Sequence, residues 1–348
     1  MTIKEIFNGA VALKASDVHL SHNLPIYYRM DGLLRPAKNW PKLEHKTILS
    51  LIESIITTKQ KDQLFKKKYL EFSHQIENDV RFRISIFWQK GHLSLTARLI
   101  WPKIPTMKEI SMPERAYKLA ELQNGLILVT GPTGCGKSTT LAAMIDYINQ
   151  QRACHIITLE DPIEFIFKSK KSIISQRELN KDMISFESAL KHIVRQDPDV
   201  ILVSEMRDLE TISLAITLAE TGHLVLATLH TPDAPQTIDR IVDIFPTGRQ
   251  KQIRLQVALA LRAIISQHLL PKIGGGRVAA RELLINTPAV ANLIRENKIA
   301  QLRSALQTGM KDGMSTLEQD LKKLYRNKII TIETALTRAN YPEEITKE

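Results

Sequence analysis

Short apolar runs alternate with amphipathic stretches through the middle of the chain. Each run is continuous, and a helical pattern separates it from the next one. Strands of this kind are buried on both faces, as in a parallel sheet that helices cover on either side. The predicted strands are 126–130, 155–160, 200–204 and 224–230, and the predicted helices between them include 186–195 and 209–220. The pattern therefore indicates an α/β domain.

The beginning of the chain has a different pattern, which indicates a small α+β domain at 1–101. Its predicted elements are an initial helix, strands at 17–20 and 26–30, a helix at about 44–65, and strands at about 80–87 and 93–100. Alternation along this last region places Arg81 and Arg83 on one face of a strand and apolar side chains on the other. Prolines at positions 102, 105 and 113 then interrupt the pattern, which predicts a linker at 102–114.

The α/β domain is predicted to end in a hairpin that a helical region follows. Strands at 264–270 and 277–285 flank consecutive glycines at 274–276, which suit a turn. The helices predicted after the hairpin are 289–296, 299–308, 315–325 and 332–339. We therefore assign residues 115–286 to the α/β core and residues 287–348 to a C-terminal helical region.

Composition restricts the class of protein. The chain has 348 residues, of which 43% are apolar and 24% charged, and this suits a globular protein of two domains. We find neither the roughly 20 uninterrupted apolar residues of a membrane span nor the pattern of a secretory signal. The isolated cysteines Cys135 and Cys154 argue against a disulfide framework and favour a reducing, cytoplasmic location.

The net charge of +11 and the pI near 9.5 fit nucleic-acid binding, an anionic membrane face or simply a soluble surface. Charge alone does not choose between these. The densest basic stretch, 59–68, contains Leu64 and Phe65 at positions suited to the buried side of a helix. We therefore interpret this stretch as a solvated helix face.

The strongest local signal is a glycine-rich turn between the strand at 126–130 and a helix. It consists of Gly131, Pro132, Thr133, Gly134, Cys135, Gly136, Lys137, Ser138 and Thr139. Such a turn aims backbone N–H groups and the positive end of the helix dipole at one point, which suits phosphate. Lys137 would supply charge for the outer phosphates, and the Ser138 hydroxyl would bind Mg²⁺. The alternative is a tight structural turn with a chance Gly-Lys-Ser.

Nucleotide hydrolysis also needs carboxylates that hold the metal and orient the attacking water. Glu205 follows the strand at 200–203, as in a Walker B element, and would lie beside the phosphate loop if the two strands are neighbours. Glu160, Asp161 and Glu164 end another strand and would reach the same edge of the sheet. Acids at strand ends also cap helices, and this stays the alternative for Asp161, which precedes a proline.

Two histidines bracket the strand at 224–229. His230 would emerge at the carboxyl edge of the sheet, where it is placed to report the γ-phosphate. His223 enters from the opposite end and would face a neighbouring element. A hydrogen-bonded structural histidine is the alternative at both positions.

Together these motifs resemble the secretion ATPase superfamily that powers type II secretion and type IV pili. The matching segments are 131–139, 160–164, 205–211 and 221–231. Residues 15–20 and 272–280, with the overall length, are similar to those of the pilus retraction motors in this superfamily. The resemblance extends from about residue 3 to about residue 340.

The resemblance implies a RecA-like P-loop NTPase core with a parallel sheet. A small α+β, PAS-like domain would precede this core, and a helical region would follow it. It also implies ATP and Mg²⁺ as cofactors, with Lys137 and Ser138 at the phosphates and the metal.

The same resemblance implies roles for further residues. Glu205 would support metal binding and catalysis, and Glu164 would polarise the attacking water. His230 would lie close to the reacting phosphate. Arg83 and Arg98 would reach from the N-terminal domain toward the nucleotide and stabilise charge in the transition state, as arginine fingers do. For the two arginines, surface ion pairing is the alternative.

Superfamily members form hexameric rings that couple hydrolysis to domain rotation, so a homohexamer is expected. The expected partner is an inner-membrane pilus platform protein (PilC-like), and the participation of a paralogous second motor stays open. We expect peripheral association with the cytoplasmic face of the inner membrane and no nucleic-acid partner.

Three residues depart from the superfamily pattern. Ser204 stands where glycine is common, Cys135 is a thiol inside the phosphate loop, and Ala291 replaces an arginine in a C-terminal motif linked to retraction. An assembly or secretion ATPase is therefore the main alternative, although two isolated cysteines cannot form the paired Cys-x-x-Cys zinc site usual in assembly enzymes. A nucleic-acid translocase and a regulator that binds nucleotide without hydrolysis are further alternatives.

Overall fold

Two β-sheets organise the chain, and each belongs to its own structural unit. The computed structural model describes residues 1–30, 32–37, 40–76, 80–100 and 103–346. The N-terminal unit comprises Met1–Lys103 and Pro162–Ile166, and the larger unit comprises Ile104–Asp161 and Phe167–Glu348. Trp101 and Pro102, where the sequence predicts the end of the first domain and the start of the linker, lie outside the described residues.

The described part of the N-terminal unit forms a six-stranded antiparallel sheet in the order β3-β2-β1-β6-β5-β4. Its helices are α1 (Ile3–Ala12), α2 (His45–Glu53) and α3 (Thr58–Lys67), and its strands are β1 (Asp17–Leu20), β2 (Tyr27–Met30), β3 (Leu33–Pro36), β4 (Tyr69–Gln75), β5 (Arg81–Gln89) and β6 (His92–Ile100). The apolar side of α1 packs on this sheet, where Phe7 stacks on Phe82 of β5 with ring centroids 4.2 Å apart.

The prediction of one helix at about 44–65 is wrong, because this segment forms α2 and α3 with a break between them. Thr57 caps α3: its Oγ1 accepts a hydrogen bond from the N–H of Gln60 at 3.3 Å, and the Gln60 side chain accepts one from the N–H of Thr57 at 2.9 Å. This capping box starts a new helix at that point. The sequence also gave no signal for β3, since all its residues are exposed and show no alternation.

The larger unit, within its described residues, forms a seven-stranded sheet in the order β13-β12-β7-β11-β10-β8-β9. Its elements up to the last strand are α4 (Glu114–Ala120), β7 (Gly125–Thr130), α5 (Lys137–Gln151), β8 (His155–Glu160), β9 (Ile173–Glu178), α6 (Phe186–Ile193), β10 (Val200–Val203), α7 (Leu209–Glu220), β11 (Leu224–Leu229), α8 (Ala234–Asp243), α9 (Thr247–Ala260), β12 (Leu261–Pro271) and β13 (Arg277–Ile285). Every neighbouring pair from β12 to β9 is parallel, and β13 is antiparallel to β12. The predicted parallel sheet is confirmed.

The central strands β7, β10 and β11 are buried along their whole length, which explains their continuous apolar sequence. Their carboxyl ends meet at one edge of the sheet, and this edge is the usual ligand site of open parallel sheets. The phosphate loop follows β7, Glu205 is the second residue after β10, and His230 directly follows β11. However, β11 lies between β7 and β10, so the strands that lead to the phosphate loop and to Glu205 are not neighbours.

Short helices follow the hairpin that β12 and β13 form. They are α10 (Pro288–Arg295), α11 (Leu302–Thr308), α12 (Leu317–Arg326), α13 (Ile332–Arg338) and α14 (Glu343–Thr346). Leu270 and Ala280 of the hairpin share a buried cluster with Leu317 and Leu321 of α12. The predicted C-terminal helical region is therefore confirmed. In the part of the chain that the structure describes, no helix combines the length and the apolar character needed to span a bilayer.

Candidate active site

The phosphate loop connects β7 to α5 in a conformation that depends on glycine. Gly136 is the N-cap of α5 and has φ 91°, and Gly131 has φ 138°. A Cβ at Gly131 would lie 2.3 Å from the carbonyl oxygen of Gln267 and 2.8 Å from Sγ of Cys135. A side chain at Gly131 would therefore overlap β12, and the backbone takes the space instead.

Gln267 of β12 holds the loop from outside the motif. Its Nε2 donates to the carbonyl of Cys135 at 2.8 Å, and its Oε1 accepts a hydrogen bond from Oγ1 of Thr140 at 2.9 Å. On the other face of the strand, Ser266 Oγ accepts one from Oγ1 of Thr130 at 2.9 Å. These buried contacts fix the loop at both ends. Sequence reasoning missed Gln267, because a lone buried glutamine so far along the chain carries no local signal.

Lys137 is only 9% exposed and lies at the first position of α5. Its Nζ donates to the carbonyls of Gly131 at 2.7 Å and Pro132 at 3.2 Å. A buried ammonium group needs such partners, because leaving it unpaired in a low-dielectric site is costly. The loop thus holds its own cation in place, while Ser138 beside it is exposed.

His230 bridges the gap that β11 creates between Lys137 and Glu205. Its Nδ1 lies 3.5 Å from Nζ of Lys137, and its Nε2 lies 3.1 Å from Oε1 of Glu205. The tautomer protonated at Nε2 turns both contacts into hydrogen bonds, because Nδ1 then accepts from the ammonium and Nε2 donates to the carboxylate. The expectation that Glu205 reaches the phosphate loop from an adjacent strand is therefore corrected: a histidine on the intervening strand makes the connection.

Glu205 is also paired on its other side. Oε2 of Glu205 accepts a hydrogen bond from Arg207 at 2.8 Å, and Arg207 lies 3.7 Å from a carboxylate oxygen of Asp161. Burial alone would raise the pKa of Glu205, but the hydrogen bond and charge of Arg207, followed by His230, outweigh it and lower the pKa. Glu205 is therefore ionised at neutral pH, as a metal ligand or a base must be. The sequence placed Arg207 in a motif but gave it no role.

The acidic segment after β8 is divided between different contacts. Glu160 is buried, and its Oε1 accepts hydrogen bonds from Oγ1 of Thr158 at 2.7 Å and from Nε2 of Gln176 at 3.0 Å. Asp161 is the member of this segment that joins the Arg207 network. Glu164 belongs to the N-terminal unit.

The remaining candidates differ in exposure. Cys135 is buried, and burial raises the pKa of its thiol, so the group stays protonated and inert. Pro132, Thr133 and Gly134 are exposed at the tip of the loop. At the opposite end of β11, Nδ1 of His223 lies 3.0 Å from the carbonyl oxygen of Leu218. This contact is the one expected of a hydrogen-bonded structural histidine.

Arg83 and Arg98 lie in the N-terminal unit, directly opposite each other on β5 and β6. Asp17 and Arg29 continue the same register across β1 and β2, and we call these four residues the arginine row. Nε of Arg98 donates to the buried carboxylate of Asp17 at 2.8 Å, and Arg29 lies 3.7 Å from the same group. Arg83 lies 3.7 Å from Glu71. Both arginines thus form ion pairs, which was the alternative interpretation of these residues. Sequence reasoning missed Asp17 as the partner of Arg98 and Arg29.

The donor set of the larger unit suits a nucleotide with Mg²⁺. Gly134 and Gly136 of the loop both have positive φ, and α5 begins directly after them with its first N–H groups at the end of the loop. No group of three or more His, Cys, Asp or Glu residues that could hold a metal occurs among the described residues. Mg²⁺ in nucleotide sites needs no such cage, because phosphate and water supply most ligands. Ser138 and Glu205 are the residues that would hold it.

A known family matches most of the chain. The model of the family described as Type II/IV secretion system protein covers residues 1–275, which include the phosphate loop, Glu205 and His230. The chain belongs to this family.

Several family members match over nearly the whole chain. The type IV pilus retraction ATPase PilT of Pseudomonas aeruginosa is 48% identical over 343 residues, which are 99% of each protein. The type IV pilus ATPase PilU of the same organism is 37% identical over 346 residues, 99% of this chain and 90% of PilU. A crystal structure of the pilus retraction motor PilT with bound ADP matches with a TM-score of 0.91 and 48% identity, covering 99% of this chain and 98% of that one. Within the family, the chain is more similar to these PilT proteins than to PilU.

Proposed function

We propose that the chain is an ATP-hydrolysing motor that retracts a type IV pilus and so drives twitching motility. The contacts from Lys137 through His230 to Glu205, at the edge where the phosphate loop ends, carry the enzymatic part of this proposal. The identity of 48% to PilT over 99% of both proteins supports the cellular part. Both point to the same class of mechanochemical ATPase.

Each residue of the larger unit has a distinct task in this function. Lys137 and the first N–H groups of α5 bind the phosphates of ATP, and Ser138 and Glu205 hold Mg²⁺. When bound, Mg²⁺ neutralises charge that develops on the transferred phosphoryl group. His230 orients Glu205 and lies where a terminal phosphate would meet both residues.

In the N-terminal unit, Glu164 is proposed to polarise the attacking water, and Arg83 and Arg98 to stabilise transition-state charge. Asp17 holds Nε of Arg98 in a fixed orientation, which favours two-point recognition of an anion by a guanidinium group. The pair of Arg83 with Glu71 is compatible with this role, because exposed pairs contribute about 1 kcal/mol or less and exchange easily.

The motor is proposed to work as a homohexamer at the cytoplasmic face of the inner membrane, with peripheral association only. Its proposed partners are a PilC-like pilus platform protein and a PilU-like paralogous motor, and nucleic acid is not among them. Retraction is preferred over assembly because of the greater similarity to PilT, even though Ala291 alters the C-terminal motif.

Phosphate release by the purified protein tests the enzymatic proposal. We expect steady ATP turnover that single-stranded or duplex DNA does not stimulate. A protein that stays monomeric and releases no phosphate would be a regulator instead, and strong stimulation by DNA would indicate a translocase.

Deletion of the gene tests the cellular proposal. Loss of retraction should leave an excess of surface filaments and abolish surface motility. Cells without filaments would indicate an assembly motor, and a plasmid copy that carries Lys137→Ala should fail to restore the wild-type phenotype.

A further inference from the structure

The segment that carries His230 is held from the side by the β12–β13 hairpin. It continues from His230 through Pro232 and Asp233 to Ala234, the first residue of α8. The N–H of Ala234 donates to Oε1 of Glu282 on β13 at 2.9 Å. This hydrogen bond between the Glu282 carboxylate and the Ala234 amide, which we call the grip, therefore fixes the backbone four residues after His230.

Glu282 is buried, which is uncommon for a glutamate side chain. It is 6% exposed, and a buried carboxylate costs free energy unless hydrogen bonds or opposite charges compensate it. The amide of Ala234 is at the N-terminus of a helix of ten residues, where N–H groups lack partners within the helix and favour an anionic acceptor. An ionised carboxylate makes the strongest hydrogen bond with such a donor.

We infer that Glu282 is a positioning residue that acts through the Ala234 amide to hold His230 between Lys137 and Glu205. The inference rests on the proposed ATPase function. It connects the active site to the C-terminal helices, because Arg281, the residue before Glu282, is tied to α12: its N–H donates to Asp320 at 2.8 Å. The hairpin thus holds the phosphate loop through Gln267 and the histidine segment through Glu282.

The charges around Glu282 make this grip sensitive to pH. Burial raises the pKa of Glu282 to about 7, the Ala234 hydrogen bond opposes this, and Asp233 of α8 and Glu318 of α12 raise the pKa further. Arg303 of α11 lowers it, and His268 of β12 adds a second titratable group on the same face. Protonation weakens the carboxylate as an acceptor, so the grip loosens as the pH falls below about 7.

The test compares Glu282→Ala and Glu282→Gln with the wild-type chain. We expect Glu282→Ala to lower kcat about tenfold, the equivalent of one hydrogen bond to a charged group, with KM for ATP changed less than twofold. KM is spared because Gln267 still holds the phosphate loop. Glu282→Gln keeps an acceptor oxygen and should recover most of kcat. It should also remove the part of the pH dependence of kcat that is centred near pH 7 in the wild type.

Amide hydrogen exchange without nucleotide provides a second readout that does not depend on turnover. Glu282→Ala should speed exchange at residues 233–236, and Glu282→Gln should not. Glu318→Ala is a matched control, since Glu318 is a buried glutamate that accepts hydrogen bonds from the amides of Asn340 and Tyr341. It should speed exchange at those residues, leave residues 233–236 protected, and keep kcat at pH 8 within twofold of wild type.

Unchanged kcat in Glu282→Ala, or an equal fall of kcat in Glu318→Ala, would overturn the inference. So would unchanged exchange at residues 233–236 in Glu282→Ala. If Glu282→Ala does not fold, the pH profile of Glu282→Gln decides, and a profile identical to wild type would count against a titrating grip. If the wild type itself hydrolyses no ATP, the proposed function fails, whereas the exchange experiment still tests whether Glu282 holds the segment.

Discussion

The phosphate-loop region and the arginine row use charge in opposite ways. The ammonium of Lys137 belongs to a side chain that is 9% exposed, and two loop carbonyls hold it. The side chain of Arg98 is 67% exposed, and the buried carboxylate of Asp17 holds it through Nε. A buried charge is stable only where hydrogen-bond acceptors surround it. An exposed charge is stabilised by water and needs only one ion pair to fix its orientation. The lysine of the loop is therefore held in a fixed position by the loop itself, whereas the arginine row is a surface that presents cations.

Removal of the caged charge should have the largest effect. Lys137→Ala leaves the loop carbonyls and His230 without their cation, and we expect ATP binding at least about 100-fold weaker. Fluorescent-nucleotide titration measures the affinity. Lys137→Arg is the matched variant, because it keeps the charge but not the compact ammonium. If Lys137→Ala binds ATP as tightly as the wild type, the buried lysine is not part of the nucleotide site.

Glu205→Gln should separate binding from turnover. The amide keeps the size of the side chain but loses the charge that Arg207 and His230 stabilise. We expect nucleotide binding within a few-fold of wild type and kcat about 100-fold lower, as for loss of a catalytic acid–base or metal-binding group. Single-turnover phosphate release with parallel equilibrium binding measures both quantities, and similar turnover in the two proteins would refute the assignment of Glu205.

In the arginine row, we expect a smaller effect that distinguishes catalysis from ion pairing. Arg98→Ala should lower kcat about tenfold, well below the full value of an arginine finger, because Arg83 lies opposite and can compensate. The thermal unfolding temperatures of Arg98→Ala and the wild type, both without nucleotide, are measured alongside kcat. If the unfolding temperature falls while kcat stays constant, the arginines are structural.

The smallest effect is expected at Cys135. Because its thiol is buried and its pKa is raised, brief treatment with iodoacetamide should leave ATP turnover unchanged, and Cys135→Ser should behave like the treated wild type. Mass spectrometry identifies the modified cysteine. Rapid alkylation of Cys135 with loss of activity would mean that the loop opens far more than its contacts indicate.

The parts that sequence alone predicts are those in which a short segment determines its own structure. The phosphate loop is one, since its glycines, its lysine and the flanking strand and helix are contiguous. The continuous apolar sequences of β7, β10 and β11 are another, because full burial excludes polar residues.

The rest depends on contacts between distant segments. Gln267 and Glu282 hold segments that lie far from them in the chain. Asp17 likewise binds an arginine that lies 81 positions further along the chain. No periodicity marks such residues. The order of the strands is a further case: it placed β11 between β7 and β10 and gave His230 a bridging position that its place in the sequence did not reveal.

The strand β11 also sets the distance between the ends of β7 and β10. Neighbouring strands are about 4.8 Å apart, so the ends of β7 and β10 are separated by about 10 Å with β11 between them. Adjacent strands would press the lysine against the acid as a direct ion pair and close the space. Two strand widths keep the ammonium and the carboxylate apart, so each contacts one ring nitrogen of His230 and the imidazole couples the two charged groups.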